Sequence, residues 1–60
     1  MRRGSEQQFR LLRAVRSTPD VSTHALAAEV RVPQLDAAIA LDRLRRRRLV
    51  RSLGGLWRAL

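Results

Sequence analysis

Apolar residues recur at helical spacing near the start of the chain: Phe9, Leu12 and Val15, with Leu11 and Ala14 beside them. Ser5 followed three residues later by Gln8 is a capping-box signature. Ser17-Thr18-Pro19-Asp20 closes the segment, because proline disfavours helix in the residue before it. A first helix is therefore predicted over residues 6–16. Val21 stands alone and is expected to bridge to a sheet, and Ser22 is the next N-cap. The second helix is predicted from Thr23 to about Val30, burying Leu26, Ala27 and Val30. After the short Arg31-Val32 connection, Pro33 suits the first position of a third helix, where its missing N–H costs nothing. That helix is predicted to reach Arg47 or Arg48, with Ala37, Ala38, Leu41 and Leu44 on one face.

The pattern changes after Arg48. Two apolar-rich runs, Leu49 to Leu53 and Leu56 to Leu60, flank Gly54-Gly55. A Gly-Gly pair between such runs predicts a tight hairpin, since glycine tolerates positive φ. With a two-residue turn, Arg51 falls opposite Arg58, and Trp57 faces the other side with Val50 and Ala59. The fold class is thus mostly α with a small β-hairpin, in a single domain over residues 1–60 whose residues 1–4 are expected to be flexible.

Three helices followed by a hairpin is the element order of the winged helix-turn-helix superfamily, which the chain resembles from Ser5 to Leu60. Val-Ser-Thr-His-Ala-Leu-Ala-Ala-Glu-Val (21–30) looks like its second helix. Leu-Asp-Arg-Leu-Arg-Arg-Arg-Arg-Leu-Val (41–50) looks like the end of its recognition helix, and Gly-Gly-Leu-Trp-Arg-Ala-Leu (54–60) like the returning wing. Within the superfamily the chain is similar to the C-terminal winged helix of the DNA-processing protein A family. Two positions depart from the pattern: Arg31 and Arg48 stand where the turn after helix 2 and the end of helix 3 usually carry glycine.

Charge adds a partner class. The 60 residues hold 13 basic and 5 acidic side chains, a net charge of +8, and every basic residue is arginine. Such a balance attracts polyanions through encounter rate and counterion release. Arginine also makes forked contacts to phosphate and guanine that lysine does not copy. There is no cysteine, hence no disulfide or thiolate metal site, which suits a reducing, cytoplasmic setting. Nothing approaches the roughly 18 apolar residues of a membrane span. Met1-Arg2-Arg3 leads into a polar stretch, so no secretory signal is expected.

The resemblance implies that base edges are read from the first half of helix 3, at Gln34, Leu35, Asp36, Ile39 and Arg43. Gln34 suits adenine and Arg43 suits phosphate or guanine. Leu35 and Ile39 either pack against the neighbouring helix or form an apolar patch for a partner. Asp36 repels phosphate, which makes the reader thin. Arg47 lies nearest Arg43 around the helix, giving a phosphate pair, whereas Arg45 and Arg48 lean toward the core side. Like charges at Arg51 and Arg58 repel across the wing, and an anion between them relieves the cost. Arg2, Arg3 and Arg10 add nonspecific attraction. Trp57 is expected to cap the core against helix 1 rather than stack on bases.

His24 has no second ligand nearby and reads as a solvated polar residue. No catalytic grouping, phosphate loop or dinucleotide fingerprint occurs. The expectation is a non-enzymatic module for double-stranded DNA, without cofactor, metal, membrane or small-molecule substrate. The DNA-binding candidates are Gln34, Ile39, Arg43, Arg47, Arg51 and Arg58. The alternative is a protein-interaction or homodimer surface at Leu35 and Ile39.

Overall fold

A computed structural model describes residues 2–60, with side chains from residue 6 onward. The elements are α1 (Arg2–Ser17), β1 (Val21–Ser22), α2 (Thr23–Val30), α3 (Gln34–Arg46), β2 (Val50–Leu53) and β3 (Leu56–Ala59). The strands form one antiparallel sheet in the order β1-β3-β2. Three helices with this small sheet are compatible with a winged-helix arrangement.

Each helix contributes one fully buried leucine to a common centre: Leu11 from α1, Leu26 from α2 and Leu41 from α3. Val15, Ala37 and Val50 are as deeply enclosed, and Trp57 closes the core from the sheet side. Truncating one such leucine to alanine costs about 2–5 kcal/mol. A domain of this size has a total stability of about that order.

Helix α1 starts ahead of the predicted Glu6, so Ser5 is an interior position instead of an N-cap; its side chain lies outside the described residues. Phe9 is a correction. Its spacing suggested the core, yet it is 62% exposed. The buried stripe of α1 is centred on Leu11 and Val15, and Phe9 sits about 140° around the helix from that centre at 100° per residue.

Helix α2 has the predicted bounds and buries the predicted residues. Ser22 caps it, its hydroxyl accepting from Ala25 N at 3.1 Å. Val21 pairs with Trp57, and Ser22 extends the bridge to a two-residue strand.

Helix α3 is shorter at both ends than predicted. Pro33 is its N-cap, not its first turn, and the helix stops at Arg46. The stop is a left-handed residue, Arg48 at φ 63°. Arg48 N donates to Arg45 O at 2.9 Å and Leu49 N to Leu44 O at 3.1 Å, the bond pattern of a Schellman cap. Leu49 then packs against the core. Ala40, not Ala38, completes the buried stripe with Ala37, Leu41 and Leu44; Ala38 is half-buried.

Arg31 also closes α2 in a left-handed conformation, at φ 60°, but its N–H and that of Val32 both donate to Ala27 O. Arg31 and Arg48 are therefore both left-handed, at about 1 kcal/mol of strain each.

The hairpin has the predicted register: Val50 faces Ala59, Arg51 faces Arg58, Ser52 faces Trp57 and Leu53 faces Leu56. Gly54 and Gly55 have φ of 59° and 81°, the double positive φ of a type I′ turn. No atom lies within 4 Å of a Cβ placed on either glycine, so the requirement is backbone conformation, not space.

Candidate nucleic-acid interface

The sheet has one face on the core, carrying Val21, Trp57, Val50 and Ala59. Its other face alternates outward and carries Leu56 and Arg58 on β3 and Arg51 and Leu53 on β2. Asp20, one residue before β1, reaches the same face. Its φ of 60° is left-handed, a region that aspartate enters more readily than most residues. The Asp20 carboxylate accepts a fork from Arg58: Nε to Oδ1 at 3.1 Å and Nη2 to Oδ2 at 2.8 Å. Asp20, Arg51, Leu53, Leu56 and Arg58 together line a cleft of about 100 Å³.

The expected facing of Arg51 and Arg58 is present, but their repulsion is relieved from within the chain. Hydrogen bonding from Arg58 holds the Asp20 carboxyl below its ordinary 3.8 against the opposing effect of desolvation, with a lesser contribution from the Arg58 charge. The same contact raises the Arg58 guanidinium. Sequence reasoning missed Asp20. Its contact spans 38 positions, and it becomes foreseeable only once Val21 is registered against Trp57.

On α3 the core stripe leaves an opposite face made of Leu35, Ile39, Asp42 and Arg46. Leu35 is 72% and Ile39 48% exposed, so neither fills a gap against α2. Ile39 and Arg43 line a shallow cleft of about 100 Å³ with Gln7, Gln8, Asp36 and Ala40, on the flank toward α1. Gln34 lies on the other flank, toward α2, where its Oε1 is 3.2 Å from His24 Nδ1. His24 is exposed, as expected of a solvated residue, but it is not without a partner. Gln34 and Arg43 thus occupy separate edges of α3.

The arginine run also differs from expectation. Arg45 does not lean on the core; its Nη2 donates to Asp42 Oδ1 at 2.7 Å, and Arg46 Nε lies 3.1 Å from Asp42 Oδ2. The spacings of three and four residues were visible in the sequence and are the ones that place such pairs side by side on a helix. Hydrogen bonding from Arg45 holds Asp42 below 3.8 against the opposing effect of desolvation, with lesser contributions from the charges of Arg46 and Arg45. Arg43, Arg47, Arg48 and Arg51 are exposed and make no salt bridge among the described residues.

A third cleft, of about 280 Å³, runs between α1 and α2, lined by Arg10, Arg13, Ala14, Ser17, Glu29 and Val30. There Arg10 Nη2 donates to Val30 O at 3.1 Å, a cation at the negative end of α2. Arg2 and Arg3 fall outside the residues whose side chains are described. Among the described residues no three His, Cys, Asp or Glu side chains gather to hold a metal. No helix is long and apolar enough to cross a membrane.

No protein-family model matches the chain, and neither a curated protein nor a solved structure matches it significantly.

Proposed function

We propose that this chain is a winged helix-turn-helix module that binds double-stranded DNA without catalysing a reaction, as part of transcriptional regulation or as an accessory to DNA processing. Its likeness to the C-terminal winged helix of the DNA-processing protein A family belongs to this reading. The observation that carries it is the cross-strand pair of Arg51 and Arg58 on the outer face of a Gly-Gly hairpin, in a chain of net charge +8. In this reading α3 enters the major groove, and Arg51 and Arg58 meet the sugar-phosphate backbone beside it. Arg43 on α3 and Arg47 at its C-cap hold phosphate. Gln34 and Ile39 touch base edges, the first through its amide and the second through a thymine methyl. The apolar centre of the outward face makes base readout sparse, so affinity depends mostly on phosphate.

The test is a salt titration of binding to random-sequence duplex DNA, with the size of the free protein measured alongside. Log affinity should fall linearly with log salt, by about 0.9 for each phosphate engaged. Affinity that stays flat with salt refutes the reading.

A second reading is favoured by the exposure of Leu35 and Ile39 on adjacent turns of α3. They form an apolar patch for a second copy or another protein. For a second copy the free protein changes size with concentration, and Ile39→Asp abolishes that change, or the capture of another protein, while leaving the fold intact.

A further inference from the structure

Three charged side chains lie in a row across the outer face of the sheet. Asp20 precedes β1, Arg58 is on the central strand β3, and Arg51 is on the edge strand β2. The central residue is shared. It faces a like charge on one side and grips a carboxylate on the other. The fork to Asp20 occupies Nε and Nη2 of Arg58, the paired donors that match the spacing of two phosphate oxygens. Asp20 also lines the same small cleft as both arginines, so an anion entering that cleft meets a negative charge. All three side chains are exposed, and polyanions reach them without any movement of the core.

We infer that Asp20 is a built-in competitor for the anion site of the wing: its carboxylate fills the Arg58 fork, and a phosphate group engages Arg51 and Arg58 together only by displacing it. This rests on the DNA-binding reading and deepens it. The ligand chemistry is a single phosphate group, supplied by a nucleic-acid backbone or free in solution. Asp20 therefore weakens the wing's hold on phosphate instead of aiming Arg58 at it. The Leu53 and Leu56 side chains flank the site and give the phosphate no further donor.

Asp20→Asn is the discriminating change, because asparagine also tolerates the left-handed backbone while the charge and one of the two acceptors of the fork are lost. Asp20→Gly, which keeps the same backbone freedom, serves as a second variant, and thermal melts establish that each is folded. Freeing the Arg58 fork should tighten duplex binding, by up to about eightfold at 0.1 M salt, and steepen the salt slope by up to about 0.9, the full values applying where Asp20 keeps that phosphate off the parent. Glu29→Gln, which makes the same change of charge on α2, controls for the general field and should tighten binding less, with no change of slope. In an Arg58→Gln background the effect of Asp20→Asn should fall to that of the control. Equal effects of Asp20→Asn and Glu29→Gln, or weaker binding by Asp20→Asn, overturn the inference. A parallel titration with inorganic phosphate follows the Arg58 Nε–H resonance. A response at lower phosphate in Asp20→Asn than in the parent supports the competitor role even if duplex DNA does not bind, which separates this failure from that of the DNA reading. Identical responses in parent and variant overturn it.

Discussion

Trp57 Nε1 donates a 2.8 Å hydrogen bond to Thr23 Oγ1, tying the central strand of the sheet to the first turn of α2. The indole is nearly buried, and its N–H is the one group on it that requires a polar partner. The contact is thus a polar tie between the hairpin and α2. Thr23→Val keeps the shape and removes the acceptor. We expect a loss of about 1–3 kcal/mol, the cost of leaving a buried donor unsatisfied. Urea denaturation followed by the fluorescence of this single tryptophan measures it. An unchanged midpoint would show that water replaces the hydroxyl.

Arg31 and Arg48 hold left-handed conformations that favour glycine. Arg31→Gly and Arg48→Gly should each stabilise the chain by about 1 kcal/mol. In a domain of this size that raises Tm by about 4–8 °C. Calorimetry on the single variants and the pair tests this, and the two effects should add because the sites share no partner. A fall in Tm at Arg48 would mean that its side chain supports the junction to β2.

These two positions show what was legible in the sequence and what was not. The end of α1, the start of α2 and the hairpin turn were readable because Pro19, Ser22 and Gly54-Gly55 each act through their own backbone or a close neighbour. The wing register followed from the same local chemistry, which is why Arg51 could be set opposite Arg58 in advance. The rest depended on tertiary placement. Phe9 has the right period but the wrong phase, and phase is fixed only by where α2 and α3 pack. The partners of Arg58 and Trp57 lie 38 and 34 positions away, brought close by β1, a strand of two residues. On α3, the arginines were sorted only by their angle around the helix, which set Arg45 toward the core and left out the hold of Asp42 on Arg45 and Arg46.

Asp20 and Asp42 both have carboxyls held below their ordinary value in the folded state by arginine. A group depressed in this way stabilises the fold above its unfolded pKa, about 3.9, and that contribution disappears as pH falls through the folded value. Stability should therefore decline from about pH 4 downward. Both pairs are exposed, so the effect is modest and screened by salt. Thermal melts at pH 7 and pH 3 should show a smaller acid loss in an Asp20→Asn/Asp42→Asn variant than in the parent. Equal losses would place the acid sensitivity in other carboxylates.

Internal pairing also ranks the arginines as phosphate ligands. Arg51 and Arg43 make no salt bridge among the described residues, whereas Arg45 is already bonded to Asp42 at 2.7 Å. A guanidinium that must leave a carboxylate to meet phosphate binds it less favourably than one that leaves only water. Arg51→Gln and Arg43→Gln should each reduce the salt slope of duplex binding by about 0.9. Arg45→Gln should reduce it by a fraction of that, since Asp42 loses one of its two arginine partners, keeps only Arg46, and so opposes the backbone more strongly. Each change is on the surface and should alter stability by no more than about 0.5 kcal/mol, so the slopes compare folded proteins. The opposite order, with Arg45 dominant, would move the phosphate contact from the wing and the α1-facing edge of α3 to the C-terminal end of that helix.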